Sequence, residues 1–191
     1  MHKGRIEAFS DGVLAIVITI MVLELKVPHG GDLAALAKLT PVFLSYVLSF
    51  VNVGIYWNNH HHLFQAVKHV TGAVLWANLH LLFWLSLLPF ATGWMGENHF
   101  STWTVVVYGF VLIMAAVAYT ILVRVLLAGH GADSHLARAI GSDFKGKFSL
   151  ACYAAGIAVS FWQSWLSLAL YVLVAIIWLV PDRRIEKNLP L

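Results

Sequence analysis

Six long apolar runs, separated by short polar breaks, make up most of this 191-residue chain. One helical crossing of a lipid bilayer takes about 20 residues. The runs lie at about Ile6 to Val27, Pro41 to Phe64, Val70 to Met95, Thr102 to Leu127, Phe148 to Phe161 and Trp165 to Val180. Between the first two, Pro28-His29-Gly30-Gly31 leads into a short amphipathic stretch from Asp32 to Leu39. A glycine-containing polar stretch, Gly129 to Lys147, separates the fourth and fifth, Trp162-Gln163-Ser164 joins the fifth to the sixth, and Pro181 ends the sixth. Charged residues are only 11% of the chain and hydrophobic ones 60%. A soluble core could not hide that much apolar surface, so lipid is the expected solvent. The expected fold is an all-α integral membrane protein, one domain over residues 1–191 with six transmembrane helices.

Several function classes fall away. No length is left for a soluble catalytic domain, and no nucleophile set stands out within the runs, so an enzyme is not expected. The single Cys152 excludes an internal disulfide and a cysteine metal cage. A net charge of +3 without clustered bases gives no nucleic-acid surface. The first run is long, carries acidic residues and has no small-residue cleavage site, so a cleavable signal peptide is not expected.

Charge fixes the orientation. With the N-terminus in the cytoplasm, the inner segments hold Lys3, Arg5, Lys68, Arg124, Arg138, Lys145, Lys147, Arg183, Arg184 and Lys187, and the outer ones only Lys26 and Lys38. That asymmetry is the positive-inside pattern, and an even number of crossings returns the C-terminus to the cytoplasm of a cell-membrane protein. Trp94 and Trp103 flank an outer loop, as interfacial aromatics do.

The first run opens Arg5-Ile6-Glu7-Ala8-Phe9-Ser10-Asp11-Gly12. A charge at the depth of Asp11 costs about 2.5–3.5 kcal/mol if unpaired, so it should face protein or water. The topology brings two polar clusters to the same depth, Trp57-Asn58-Asn59-His60-His61-His62 and Trp76-Ala77-Asn78. A structural network of Arg5, Ser10, Asp11, Trp57, His60, His61 and Asn78 is therefore expected at the cytoplasmic end. A metal bound by His60, His61 and Asp11 is the weaker reading, because adjacent histidines point about 100° apart on a helix. No metal and no cofactor are expected.

Farther along, Ile16, Ile20 and Leu23 share one helical face, with Thr19 beside them. Such a stripe on a membrane helix ordinarily faces lipid or packs. Copies of it around an axis would instead stack aliphatic rings, which gate by dewetting. The chain has no Thr-Val-Gly-Tyr-Gly filter.

Arg5, Phe9, Ser10 and Asp11, with Tyr56-Trp57, His60-His61-His62-Leu63-Phe64, Asn78-Leu79 and Leu87-Leu88-Pro89-Phe90, resemble the transmembrane protein 175 family of endosomal and lysosomal potassium channels and their prokaryotic relatives. The likeness covers three of the six runs in order. Gly12 stands where many relatives carry alanine and His62 where arginine is common. The resemblance implies the prokaryotic single-repeat form, a homotetramer passing potassium ions along its first helices. Ile16 falls where relatives place the main constriction, with Thr19, Ile20 and Leu23 extending it. The competing reading is a proton-coupled or other secondary transporter, with Asp11 and the histidines as a relay; neither internal repeats nor a helix broken at the midplane is evident in the sequence.

Overall fold

The computed structural model describes residues 3–67, 69–130 and 144–179. Eight helical segments occur among them: α1 Gly4–Leu23, α2 Leu33–Ala37, α3 Thr40–Gln65, α4 Gly72–Ser86, α5 Leu88–Glu97, α6 Thr102–His130, α7 Phe144–Ser160 and α8 Ser164–Leu179. Their starts follow from local chemistry. Asp32 Oδ1 accepts from the Ala35 N–H at 2.8 Å and opens α2. Thr71 Oγ1 accepts from Val74 N–H and opens α4. Pro41 sits in the first turn of α3, where a missing N–H is harmless.

Four rods are long and apolar enough to cross a membrane: Gly4–Leu23, Thr40–Gln65, Gly72–Glu97 and Thr102–Gly129. The chain is thus a multi-pass membrane protein. The third rod differs from the single helix expected between Val70 and Met95. It is α4 and α5 meeting at Leu87, because Pro89 has no N–H for the Leu85 carbonyl and its ring crowds the preceding turn. Leu87 keeps helical dihedrals (φ −85°, ψ −11°), so the joint is a kink. The last pair is shorter: α7 has 17 residues and α8 has 16. Each spans about 25 Å against a hydrocarbon thickness of about 30 Å. Most of the polar stretch from Gly129 to Lys147, and the tail from residue 180, lie outside the described residues.

The rods pack in sequence. α1 lies on α3, α4 and α5; α6 backs α4 and α5 and also packs on α7, while α8 packs on α7 and touches both α3 and α6. One side chain locks α6, α7 and α8 together. Tyr171 of α8 is fully buried, and its ring occupies the space a Cβ would take at Gly109 of α6 and Gly156 of α7. A Cβ at Gly109 would sit 2.0 Å from Tyr171 Oη, and one at Gly156 2.4 Å from Tyr171 Cε1. Either Gly→Ala substitution is expected to cost about 1–3 kcal/mol by overpacking, read as a lowered melting temperature in detergent. Adding Tyr171→Phe should partly relieve Gly109→Ala, which meets the hydroxyl first, and leave Gly156→Ala, which meets the ring edge, unrelieved. Equal relief of both would refute this packing.

Candidate functional site

α1 has two unlike faces. Ile6, Ser10, Leu14, Val17 and Met21 recur every three or four residues and are buried against α3, α4 and α5. The opposite face is open: Ile16 is 58% exposed, Ile20 43% and Leu23 77%, with Thr19 exposed between them. The Thr19 hydroxyl donates to the Ile16 carbonyl of its own helix at 2.9 Å, leaving its oxygen lone pairs outward. Val22, which spacing alone sets apart from the stripe, also lies on this open side.

The N-terminal end of α1 is tied down by a buried chain of hydrogen bonds. His60 Nε2 lies 2.8 Å from Asn78 Oδ1. An amide oxygen only accepts, so the imidazole donates. Asn78 Nδ2 then donates to Ser10 Oγ at 2.9 Å, and Ser10 Oγ donates to the Ile6 carbonyl at 2.8 Å. Ser10, His60 and Asn78 are each at most 2% exposed. Three helices are thereby joined, with every proton directed, and the His60 ring stacks on Phe64 at 4.5 Å.

Asp11 stands outside this chain. Its Oδ1 accepts from Trp57 Nε1–H at 3.0 Å, on the open side of the subunit. Trp57 stacks on His61, whose Nε2 accepts from the Gln65 amide at 2.8 Å. Arg5 is exposed, and among the described residues no hydrogen bond joins its side chain to either set. The sequence-predicted polar residues therefore divide into a buried set, Ser10, His60 and Asn78, and an open set, Asp11, Trp57 and His61. Among the described residues no three His, Cys, Asp or Glu side chains gather to hold a metal ion.

Two features were missed from sequence. The Lys3 ammonium donates to the Phe64 and Gln65 carbonyls at 3.0 and 3.1 Å, capping α3 where its dipole is negative. A second buried polar cluster joins Ser49 of α3, Thr92 of α5 and Tyr108 of α6. The available signal was Ser45, Ser49 and Asn52, polar residues at helical spacing inside an apolar run.

Beyond the C-terminal end of α1, Lys26 forms an ion pair with Glu97, whose carboxylate accepts its hydrogen bond and holds the ammonium above its ordinary pKa. A raised cation pKa means the contact is complete below the ordinary lysine value and lost as pH rises through the raised one. The pair is exposed and therefore weak and salt-screened. Glu24 rests against Gly93 of α5, where a Cβ would approach its Oε2 to 3.1 Å. Glu24, Lys26 and Glu97, with Lys38, Val42 and His99, line an open cleft of about 400 Å³.

Known proteins match this chain in sequence and fold. The profile of the family described as "Endosomal/lysosomal potassium channel TMEM175" matches residues 5–89, which carry both polar sets. A potassium channel of Chryseobacterium sp. (strain P1-3) is 60% identical over 99% of this chain and 98% of its own length. The human endosomal/lysosomal proton channel TMEM175 is 40% identical over 103 residues, 48% of this chain and 20% of its own. The crystal structure of a lysosomal potassium-selective channel TMEM175 homolog from Chamaesiphon minutus superposes with a TM-score of 0.83 at 31% identity, covering 94% of this chain and 97% of that one. Matched nearly end to end by relatives of this kind, the chain belongs to the TMEM175 family.

Proposed function

We propose that this protein is a potassium-selective channel of the cell membrane, a homotetramer of six-helix subunits with both termini in the cytoplasm. Four copies of α1 line one central path, and Ile16 forms the narrowest ring, continued outward by Thr19, Ile20 and Leu23. The observation that carries this reading is the division of α1. Its rear face is bonded and buried, while the face bearing those four side chains is left without cover in the subunit. One subunit offers one such helix, so a closed path needs symmetry. α7 and α8 are the fifth and sixth crossings, short ones that a locally thinned bilayer accommodates. Relatives named as potassium channels support the choice of ion.

An aliphatic ring holds no charge to bind cations, so preference must come from the hydration each ion sheds in a narrow dry passage. Potassium gives up water more readily than sodium, and a modest preference follows. The second reading is a proton-coupled carrier, and the kink at Leu87 with polar groups beside it is the feature that favours it. Reversal potentials of the purified protein in liposomes separate the two. With potassium and sodium on opposite sides, a channel gives a potential on the potassium side that is indifferent to an imposed pH gradient. A potential that tracks the pH gradient with fixed stoichiometry would sink the channel reading.

A further inference from the structure

α1 meets a second polar site at its outer half, and the protons there can be placed one by one. Thr92 Oγ1 lies 2.6 Å from the Leu88 carbonyl, which can only accept, so Thr92 donates. Ser49 Oγ lies 2.6 Å from Thr92 Oγ1. Thr92 has no second proton, so Ser49 donates to it. Tyr108 Oη lies 3.0 Å from Ser49 Oγ, whose proton is now taken, so Tyr108 donates to Ser49. The relay thus runs from Tyr108 of α6 through Ser49 of α3 to Thr92 of α5, and each of the three is at most 2% exposed.

The relay ends against α1. Thr92 Oγ1 lies 4.0 Å from the sulfur of Met21, which is fully buried. A thioether is a weak acceptor, and the Thr92 proton already belongs to Leu88. The contact is therefore soft, unlike the 2.9 Å bond from Asn78 to Ser10 at the other end. Ser10 and Met21 lie about 16 Å apart along α1, and the buried residues between them are Leu14 and Val17, which offer apolar packing alone. Met21 follows Ile20 directly and sits on the opposite face from Thr19 and Leu23.

We propose that Thr92, with its hydroxyl oriented by Ser49 and Tyr108, is a positioning residue for permeation: it sets how far the outer half of α1 stands from the axis, while the Ser10–Asn78 bond is the fixed pivot. This rests on α1 lining the path. The test compares Thr92→Val, which keeps the shape and removes the hydroxyl, with Thr92→Ser, which keeps the hydroxyl. The readouts are potassium flux and potassium-to-sodium preference per assembled channel in liposomes. Thr92→Val removes the Leu88 and Ser49 bonds that fix this contact, each worth about fivefold in equilibrium; flux should change by a factor of about that size and the ion preference should shift, and Thr92→Ser should restore both. The direction of the relay sets a further order. Ser49→Ala removes the donor to Thr92 itself, whereas Tyr108→Phe leaves that donor in place, so Ser49→Ala should act more strongly.

Ile16→Ala is measured alongside. A changed Ile16→Ala with an unchanged Thr92→Val overturns the proposal alone; if both are unchanged, the pore assignment falls with it. Should Thr92→Val fail to assemble, Met21→Leu, which keeps the packing and removes the sulfur, decides. A shifted ion preference supports the positioning role, and wild-type flux and preference overturn it.

Discussion

Ile16→Asn is expected to raise potassium conduction by about tenfold and to erode the preference over sodium. A dry aliphatic side chain resists wetting by about 1.5–3 kcal/mol, and roughly 1.4 kcal/mol is a factor of ten in rate. Ile16→Ala should act in the same direction by widening the ring. The control is Val17, the next residue, which is 3% exposed and packed behind the helix. Val17→Ala should cost about 1–3 kcal/mol of stability and leave ion preference alone. Single-channel recordings in potassium and sodium check both. Preference altered through Val17 and not through Ile16 would mean that α1 is turned the other way in the assembled protein. Val22 does not serve as a control, since it shares the open side with Ile16.

Asn78→Leu is expected to be the most destabilising of the polar substitutions. It strands the buried His60 N–H and takes away the donor to Ser10, and each buried group left without a partner costs about 1–3 kcal/mol. A total of about 2–6 kcal/mol is a large share of a typical domain's stability. The melting temperature and the yield of assembled protein should both fall. Asp11→Ala is the instructive comparison. As an intramembrane charge it reads from sequence as the costliest member of the network. Its Trp57 bond is exposed, and in the proposed tetramer a second copy would cover it. Its loss should therefore weaken assembly more than the fold of one subunit. An Asp11→Ala protein that unfolds as readily as Asn78→Leu would contradict this division.

That contrast shows how far the sequence could be read. Polar residues inside apolar runs must find one another, so Ser10, His60 and Asn78 could be brought to one depth by topology alone. Which of them bonds which is a matter of helix rotation, and rotation is set by contacts such as Leu14 and Met21 against the neighbouring rods. Asp11 thus reads as the hub from charge, while the fold makes Asn78 the hub. The Ser49–Thr92–Tyr108 relay spans 43 and 59 residues of sequence, and no local pattern announces such a pairing. Pro89 was visible, yet its kink at Leu87 does not interrupt the apolar run, so hydropathy passes over it. The exposed face of α1 was legible because its spacing repeats with the helix.

The tyrosine held between two glycines bears on how the chain is made. A membrane protein is inserted from its N-terminus as it is synthesised. α6 brings Gly109 and α7 brings Gly156 before the segment carrying Tyr171 has left the ribosome. Both glycines that frame the recess for that ring therefore precede it in synthesis. A nascent chain stopped before Tyr171 would keep α1 and both buried polar clusters yet leave that recess unfilled.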